Sequence, residues 1–410
     1  MNTPIKTASL QDNQQLHTSD KAHYLQTFRR FPVTLDRGEG ATVWDIDGKR
    51  YIDLLAGIAV NNVGHAHPRV VQTLREQAGK LTHISNFYLS RPQAELSRRL
   101  TEISGLDRVF LTNSGAESVE GAIKIARKYA YKNGRGGTVL SMEGCFHGRT
   151  LATISTGKES MQTGFGPMPG GFVQVPFNDI DALHQAINDA GPQQISAIIM
   201  ELIQGEGGIN PAEPGFVQAV RKVCDENDIV LIFDEIQSGV GRTGQWFAKD
   251  HYGVQPDIMT LAKGLGGGVP IGAILSTQRV SDAMDYGDHG TTFGGNPLVS
   301  AVACTVLDVI EEEKLLEAVV EKGQWIRQRL TRMNPPGMLR IKGEGLMLGI
   351  EFDYETKPLV GELLQHGVLA NATAGNVLRL VPPLNITMNE LKTAFDAMEQ
   401  VLLSRKTPSL

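Results

Sequence analysis

Lys263 stands in the stretch LAKGLGGGVPIG, Leu261 to Gly272, with apolar residues before it and Gly264, Gly266, Gly267 and Gly268 after it. A lysine taken out of water lowers its pKa and becomes a nucleophile able to form a Schiff base. Asp234 closes the apolar run IVLIFD. A carboxylate there is buried and needs a partner, such as a cationic ring nitrogen. Ser114, Gly115 and Ala116 lie between the run VFLT and a helical pattern. Free N–H groups at a helix start favour a phosphate, and small residues let it come close. The stretch GCFHGRT supplies Phe146, a flat face for a planar ligand, and Arg149, a bidentate partner for a carboxylate. Each feature also has a plainer reading: a solvated loop lysine, a salt bridge, a capped helix, a structural His147. Together they are the parts that hold pyridoxal 5'-phosphate (PLP), bonded to a lysine with an acid at its ring nitrogen.

These residues need a scaffold that brings loop ends together. The segment Ala41 to Gly57 predicts a hairpin about the Asp47-Gly48 turn. Short β-rich runs (RVFLT, GTVLSM, SAIIME, IVLIFDE) then alternate with helical patterns such as Glu117 to Ala130 and Gly215 to Glu226. That alternation predicts an α/β fold, a mainly parallel sheet with helices on both faces and ligands beyond the strands' carboxyl ends. From about Asn296 the pattern changes to long helices and an α+β tail, with strands expected in GLMLGIEF, GVLANA and NVLRLVP. The expected division is a flexible N-terminal arm at 1–20 and a first part of a small domain at 21–70. A large cofactor domain follows at 71–298, and the rest of the small domain at 299–410.

Composition narrows the function. The chain has 410 residues, 41% hydrophobic, with a formal net charge of -6 and no basic patch that would suit nucleic acid. No run is apolar enough for a membrane span, and the polar N-terminus lacks a signal-peptide core. Cys145, Cys224 and Cys304 are scattered and odd in number, which disfavours a disulfide framework. A cytoplasmic location is the expectation. His65 and His67 lack a third ligand nearby, so no metal is expected.

The motifs NSGAE, FHGRT, QGEGG, FDEIQSGVGRTG, LAKGLGGGVPIGA and HGTTFGGNPL occur in this order. With them the chain resembles the class III aminotransferases of PLP fold type I, over nearly its whole length. The resemblance implies that Lys263 carries the cofactor and moves the proton between substrate and cofactor carbons. It places Asp234 at the ring nitrogen, Gln237 at the phenolic oxygen and Phe146 against the ring. Ser114, Gly115 and Ala116 would hold the phosphate, and Thr292 would reach the phosphate of the neighbouring subunit of a homodimer. Arg149 would read the substrate's distal carboxylate and Arg379 the near one of glutamate, with Glu206 covering Arg379 when an ω-amine is bound; Thr291 is also expected at the substrate. Within the family, Ile58, Ala59 and Val60 stand where ornithine-specific members carry a tyrosine, which points to an N-acylated donor; the resemblance as a whole implies N-acetylornithine as donor and 2-oxoglutarate as acceptor. Phe87 and Tyr88 are candidate walls for the acyl group. Succinylornithine, N-succinyl-diaminopimelate, ornithine and 4-aminobutyrate stay open as donors, and a PLP aminomutase is the alternative of another class.

Overall fold

The computed structural model describes residues 12–405. Most of the expected flexible arm, residues 1–11, lies outside them; from Asn13 the chain is helical to His23, with Asp12 as the cap.

A seven-stranded sheet organises the chain. Its order is Arg108–Thr112, Gly272–Ser276, Ile258–Leu261, Val230–Asp234, Ile195–Met200, Thr138–Met142, Phe172–Val175. Only Gly272–Ser276 runs against its neighbours; the other pairings are parallel. The mainly parallel sheet expected from the sequence is therefore present. Its antiparallel member follows the lysine loop, where the glycines and Pro270 hide the start of a strand.

Alternation along the central strands divides the core. Leu231 and Phe233 pack with Phe216, Val217 and Val220 of the helix Pro214–Asn227. Val230 and Ile232 pack on the other face with Val119, Ile123 and Ala126 of the helix Gly115–Lys132. Both faces are covered, which is why these strands read as unbroken apolar runs rather than alternating ones. One edge of the sheet thus collects the carboxyl ends of six strands, and chain leaving that edge carries the polar residues of interest.

The helix Pro297–Glu312 leads from this layer toward a four-stranded antiparallel sheet, Met338–Glu344, Met347–Phe352, Val377–Leu380 and Asn371–Thr373. The N-terminal hairpin forms as expected, Val43 opposite Tyr51, with the turn at Gly48. Its strand Arg50–Asp53 also pairs in parallel with Val368–Leu369, which ties the two ends of the chain into one small layer. The helix Met388–Leu403 closes the fold with a reciprocal capping box between Thr387 and Glu390. Among the described residues no helix is long and apolar enough to cross a membrane.

Candidate active site

A cavity of about 460 Å³ opens beyond the carboxyl edge of the large sheet. Ser114, Gly115, Ala116, Phe146, Arg149, Glu206, Asp234, Gln237 and Lys263 all line it. Arg379 reaches its edge through Glu206 and Gln237. Thr291 and Thr292 do not line it. Thr291 is tied to Asn113, whose amide donates to its hydroxyl at 3.1 Å, and Thr292 is exposed.

Lys263 follows the strand Ile258–Leu261 and sits at φ 40°, left-handed and unusual for a residue with a side chain. It is partly open to the cavity, yet protein surrounds its amine. Burial is the main cause that lowers its pKa from 10.5; Asp234 opposes that shift and Arg379 adds to it. No hydrogen bond or ion pair engages its Nζ among the described residues. The glycines have a steric reason. A Cβ on Gly264 would come 2.1 Å from Asn62 Nδ2, and Gly268 sits at φ 111°. Asn62 donates to Val240 O at 2.7 Å and accepts from the fully buried Arg242 at 2.7 Å. Arg242 also donates to Leu346 O and Pro382 O. The lysine loop is thus braced through Asn62 and Arg242 by contacts that reach Leu346 and Pro382.

Asp234 is 4% exposed. Its Oδ1 accepts from Thr260 Oγ1 and the Ile236 N–H, both at 3.1 Å. Its Oδ2 lies 2.6 Å from His147 Nδ1. Burial alone would depress the His147 imidazole; Cys145 and Asp234 outweigh it and hold the pKa well above the ordinary value. Sequence reasoning ranked His147 as structural, and its motif neighbour Phe146 drew the attention instead. It missed Glu201 altogether. This buried carboxylate follows the strand Ile195–Met200, accepts from the Phe146 and Gly205 N–H groups at 3.1 and 3.0 Å, and lines the cavity. Burial pushes its pKa up to about 7, with His147 opposing and Asp234 adding to the shift. The signal was available: an acid ending an all-apolar strand is what marked Asp234.

Ser114 caps the helix Gly115–Lys132 by accepting from the Glu117 N–H at 3.3 Å. Gly115 packs on Ile236, where a Cβ would fall 2.8 Å from Cδ1. Opposite them, residues Ala56 to Ala59 run at φ 50°, 64°, 66° and 60°, a left-handed turn in which only Gly57 is a glycine. Such residues cost of order 1–3 kcal/mol each and persist where the surroundings fix them. Here Asp53 Oδ1 accepts from the Leu55 and Ala56 N–H groups at 2.9 and 2.8 Å. The turn delivers Val60 to the cavity wall. His65 Nε2 donates to Asp53 Oδ2, 2.7 Å away, whereas His67 meets Glu313. The two histidines therefore serve separate contacts.

The two arginines differ sharply. Arg379, on the strand Val377–Leu380, has a fully buried side chain. Its Nη1 meets Glu206 Oε1 at 2.6 Å and its Nε donates to Asn371 at 3.0 Å, but its Nη2 is buried without a partner. Arg149 is exposed to the cavity, lies 5.3 Å from the Phe146 ring centroid and has no acidic partner among the described residues.

These residues fit PLP. A buried acid, an amine with no partner, a phenyl face and a helix start with small residues converge on one space, and His147 Nε2 and Arg379 Nη2 are left without partners around it. One consequence is testable. A lysine with a lowered pKa is a free amine at lower pH than an ordinary one. The rate at which apoprotein captures PLP should rise with pH and level off below 10.5, read from the cofactor's absorbance. A rise that continues beyond 10.5 would contradict the buried-amine account.

Comparison with known proteins agrees with this chemistry. Residues 24–402 match the Aminotransferase class-III family. The acetylornithine aminotransferase of Methanocaldococcus jannaschii is 48% identical over 94% of this chain and 98% of its own. Among solved structures, the ornithine aminotransferase from Toxoplasma gondii superposes with a TM-score of 0.93 at 36% identity, covering 98% of this chain and 99% of that one. The acetylornithine aminotransferase from Elizabethkingia anophelis does so with a TM-score of 0.86 at 34% identity, covering 96% and 100%. The fold is that of the PLP fold type I enzymes, and the chain belongs to the class III aminotransferases, enzymes that depend on PLP.

Proposed function

We propose that the chain moves the terminal amine of N-acetylornithine to 2-oxoglutarate, giving N-acetylglutamate 5-semialdehyde and glutamate, as a step of arginine biosynthesis in the cytoplasm. The observation that carries this reading is the unequal state of the two arginines. N-acetylornithine reacts at its terminal amine, so its one carboxylate lies far from the reacting carbon. Glutamate reacts at its α-amine and brings one carboxylate near and one far. A free Arg149 suits the far carboxylate of both. Arg379 has a carboxylate to meet only when glutamate is bound, and Glu206 at 2.6 Å covers it otherwise. Val60 supports an acylated donor, since it offers no group to a free α-ammonium. The 48% identity to an acetylornithine enzyme points the same way.

When bound, PLP supplies the electron sink that lets the amine-bearing carbon lose its proton. Lys263 is the base that takes that proton and returns it, helped by an amine pKa lowered by burial. Asp234, paired with His147, keeps a proton at the ring nitrogen. Phe146 and the apolar wall from Val269 to Ile271 keep water from the reacting atoms.

We further propose a homodimer. Phe87 and Leu89 are more than 90% exposed, and their neighbour Asn86 bonds Thr291 O and Gly294 O. An apolar surface beside Thr291 and Thr292 favours burial against a second copy, and Thr292 would act there on the partner subunit's cofactor.

Single-turnover rates test the arginine assignment. Arg149→Ala should weaken both half-reactions by about 2–5 kcal/mol, the usual cost of losing a desolvated charge pair. Arg379→Ala should cost glutamate a similar amount and leave N-acetylornithine much less affected. Glu206 is 38% exposed at its side chain, so water can take over from the lost guanidinium. Glu206→Ala should do the reverse. Equal losses on both substrates for Arg379→Ala would reduce the pair to a fixed salt bridge.

A further inference from the structure

A second cavity, of about 640 Å³, adjoins the first and shares Phe146, Arg149 and Glu206 with it. Arg149 lines both cavities. The charged lining of the second is lopsided. Arg29, Lys158 and Lys357 are exposed on it, and none has an ion-pair or hydrogen-bonded side-chain partner among the described residues. Arg149 makes a fourth unpaired cation. Arg30 also lines the chamber but is neutralised by Asp20 at 2.9 Å. Of the carboxylates, Glu206 is held by Arg379, which leaves Glu355 alone to oppose the four. Phe31, Met161, Val360, Ala372 and Ala374 form apolar walls between these charges.

This arrangement has no evident structural use. Exposed cations without partners contribute little to folding. They also run against the chain as a whole, whose formal net charge is -6. A dianion approaching such a molecule is repelled by the average surface. A concave patch of one sign between apolar walls focuses the field and reverses that repulsion locally.

We infer that this chamber is an anion-collecting vestibule that draws the dicarboxylate substrates, 2-oxoglutarate and glutamate, toward Arg149, through the charges of Arg29, Lys158 and Lys357. The inference rests on the dicarboxylate half of the proposed reaction. It separates the two substrates by charge. 2-Oxoglutarate carries two negative charges and feels the field fully. N-acetylornithine carries one carboxylate and one ammonium, so its net charge is zero and it gains little. The vestibule would therefore favour capture of the acceptor without tightening the grip on the donor.

The test uses holoenzyme and glutarate, an unreactive dicarboxylate, with association followed by stopped-flow through the cofactor's absorbance. Raising the salt from 0.02 to 0.5 M shortens screening to a few ångströms, and the association rate should fall by roughly tenfold. The triple variant Arg29→Gln, Lys158→Gln, Lys357→Gln should associate roughly fivefold more slowly at low salt and lose most of the salt dependence. Glu355→Gln should do the opposite and accelerate association by roughly twofold. That gain cannot come from damage to the fold. In turnover, the kcat/KM for 2-oxoglutarate should follow the same pattern while kcat and the N-acetylornithine half-reaction stay near wild type. Glutarate association that ignores salt and all these substitutions would overturn the vestibule, even with N-acetylornithine confirmed as donor. Salt-dependent glutarate capture in an enzyme that rejects N-acetylornithine would uphold the vestibule and overturn the donor assignment instead.

Discussion

Lys263→Ala is expected to abolish covalent retention of the cofactor and to cut turnover by at least about 10²–10⁴-fold, the range lost with a positioned general base alone. The same substitution should leave the fold intact or raise its melting temperature. Lys263 Nζ has no bonding partner among the described residues, so no contact is lost. Burial lowers its pKa, which means that folding disfavours the ammonium form that the unfolded chain carries at neutral pH, a cost to stability. Alanine removes that cost. It also tolerates φ 40° about as well as lysine does, so the backbone has no reason to move. Borohydride reduction of the wild type followed by peptide mapping should find the pyridoxyl group on Lys263. A label on another lysine would overturn the assignment, and a large drop in melting temperature would mean that the amine is structural.

How much of this was legible before the structure follows from where each signal resides. Ser114, Asp234 and Lys263 are each announced locally, because an apolar strand ends abruptly at or just before them and the next residues leave the sheet. Glu201 obeys the same rule at the end of Ile195–Met200, just before the motif QGEGG, and carries the same local mark as Asp234. His147 was visible but undecided, since its partner Asp234 lies 87 residues away and only the parallel pairing of both their strands with Ile195–Met200 between them brings the two to 2.6 Å. Asn62 and Arg242 carry no local mark at all. They are 180 residues apart, and their value lies in bracing Gly264. The left-handed turn at Ala56 to Ala59 was hidden for another reason. Alanine and isoleucine do not signal positive φ, so a turn that tertiary contacts impose cannot be read from residue type. The strand Gly272–Ser276 was obscured because the glycines before it suggested a loop continuing. Thr291 and Thr292 were placed from the family resemblance, and a single chain leaves them outside the cavity.

Asp234→Asn is expected to slow both half-reactions by at least ~100-fold while the cofactor stays bound, a loss of about 2.7 kcal/mol or more of preorganised electrostatics. Asparagine keeps the size of the side chain and an oxygen to accept from Thr260 and the Ile236 N–H. What it removes is the negative charge 2.6 Å from His147 and the only strong reason for a proton to remain on a ring nitrogen beside it. The effect should reach glutamate and N-acetylornithine alike, because both need the same electron sink. That equality separates Asp234 from Arg379, whose loss should divide the two substrates. A second readout reports on the site without turnover. With the carboxylate gone, burial acts on His147 with one fewer opponent, so its pKa should fall, and an NMR titration of the imidazole should show the drop. An Asp234→Asn enzyme with near-normal rates and an unchanged His147 would mean that another acid holds the ring proton, and Glu201, buried on the same cavity with its pKa pushed up to about 7, would be the group to replace next.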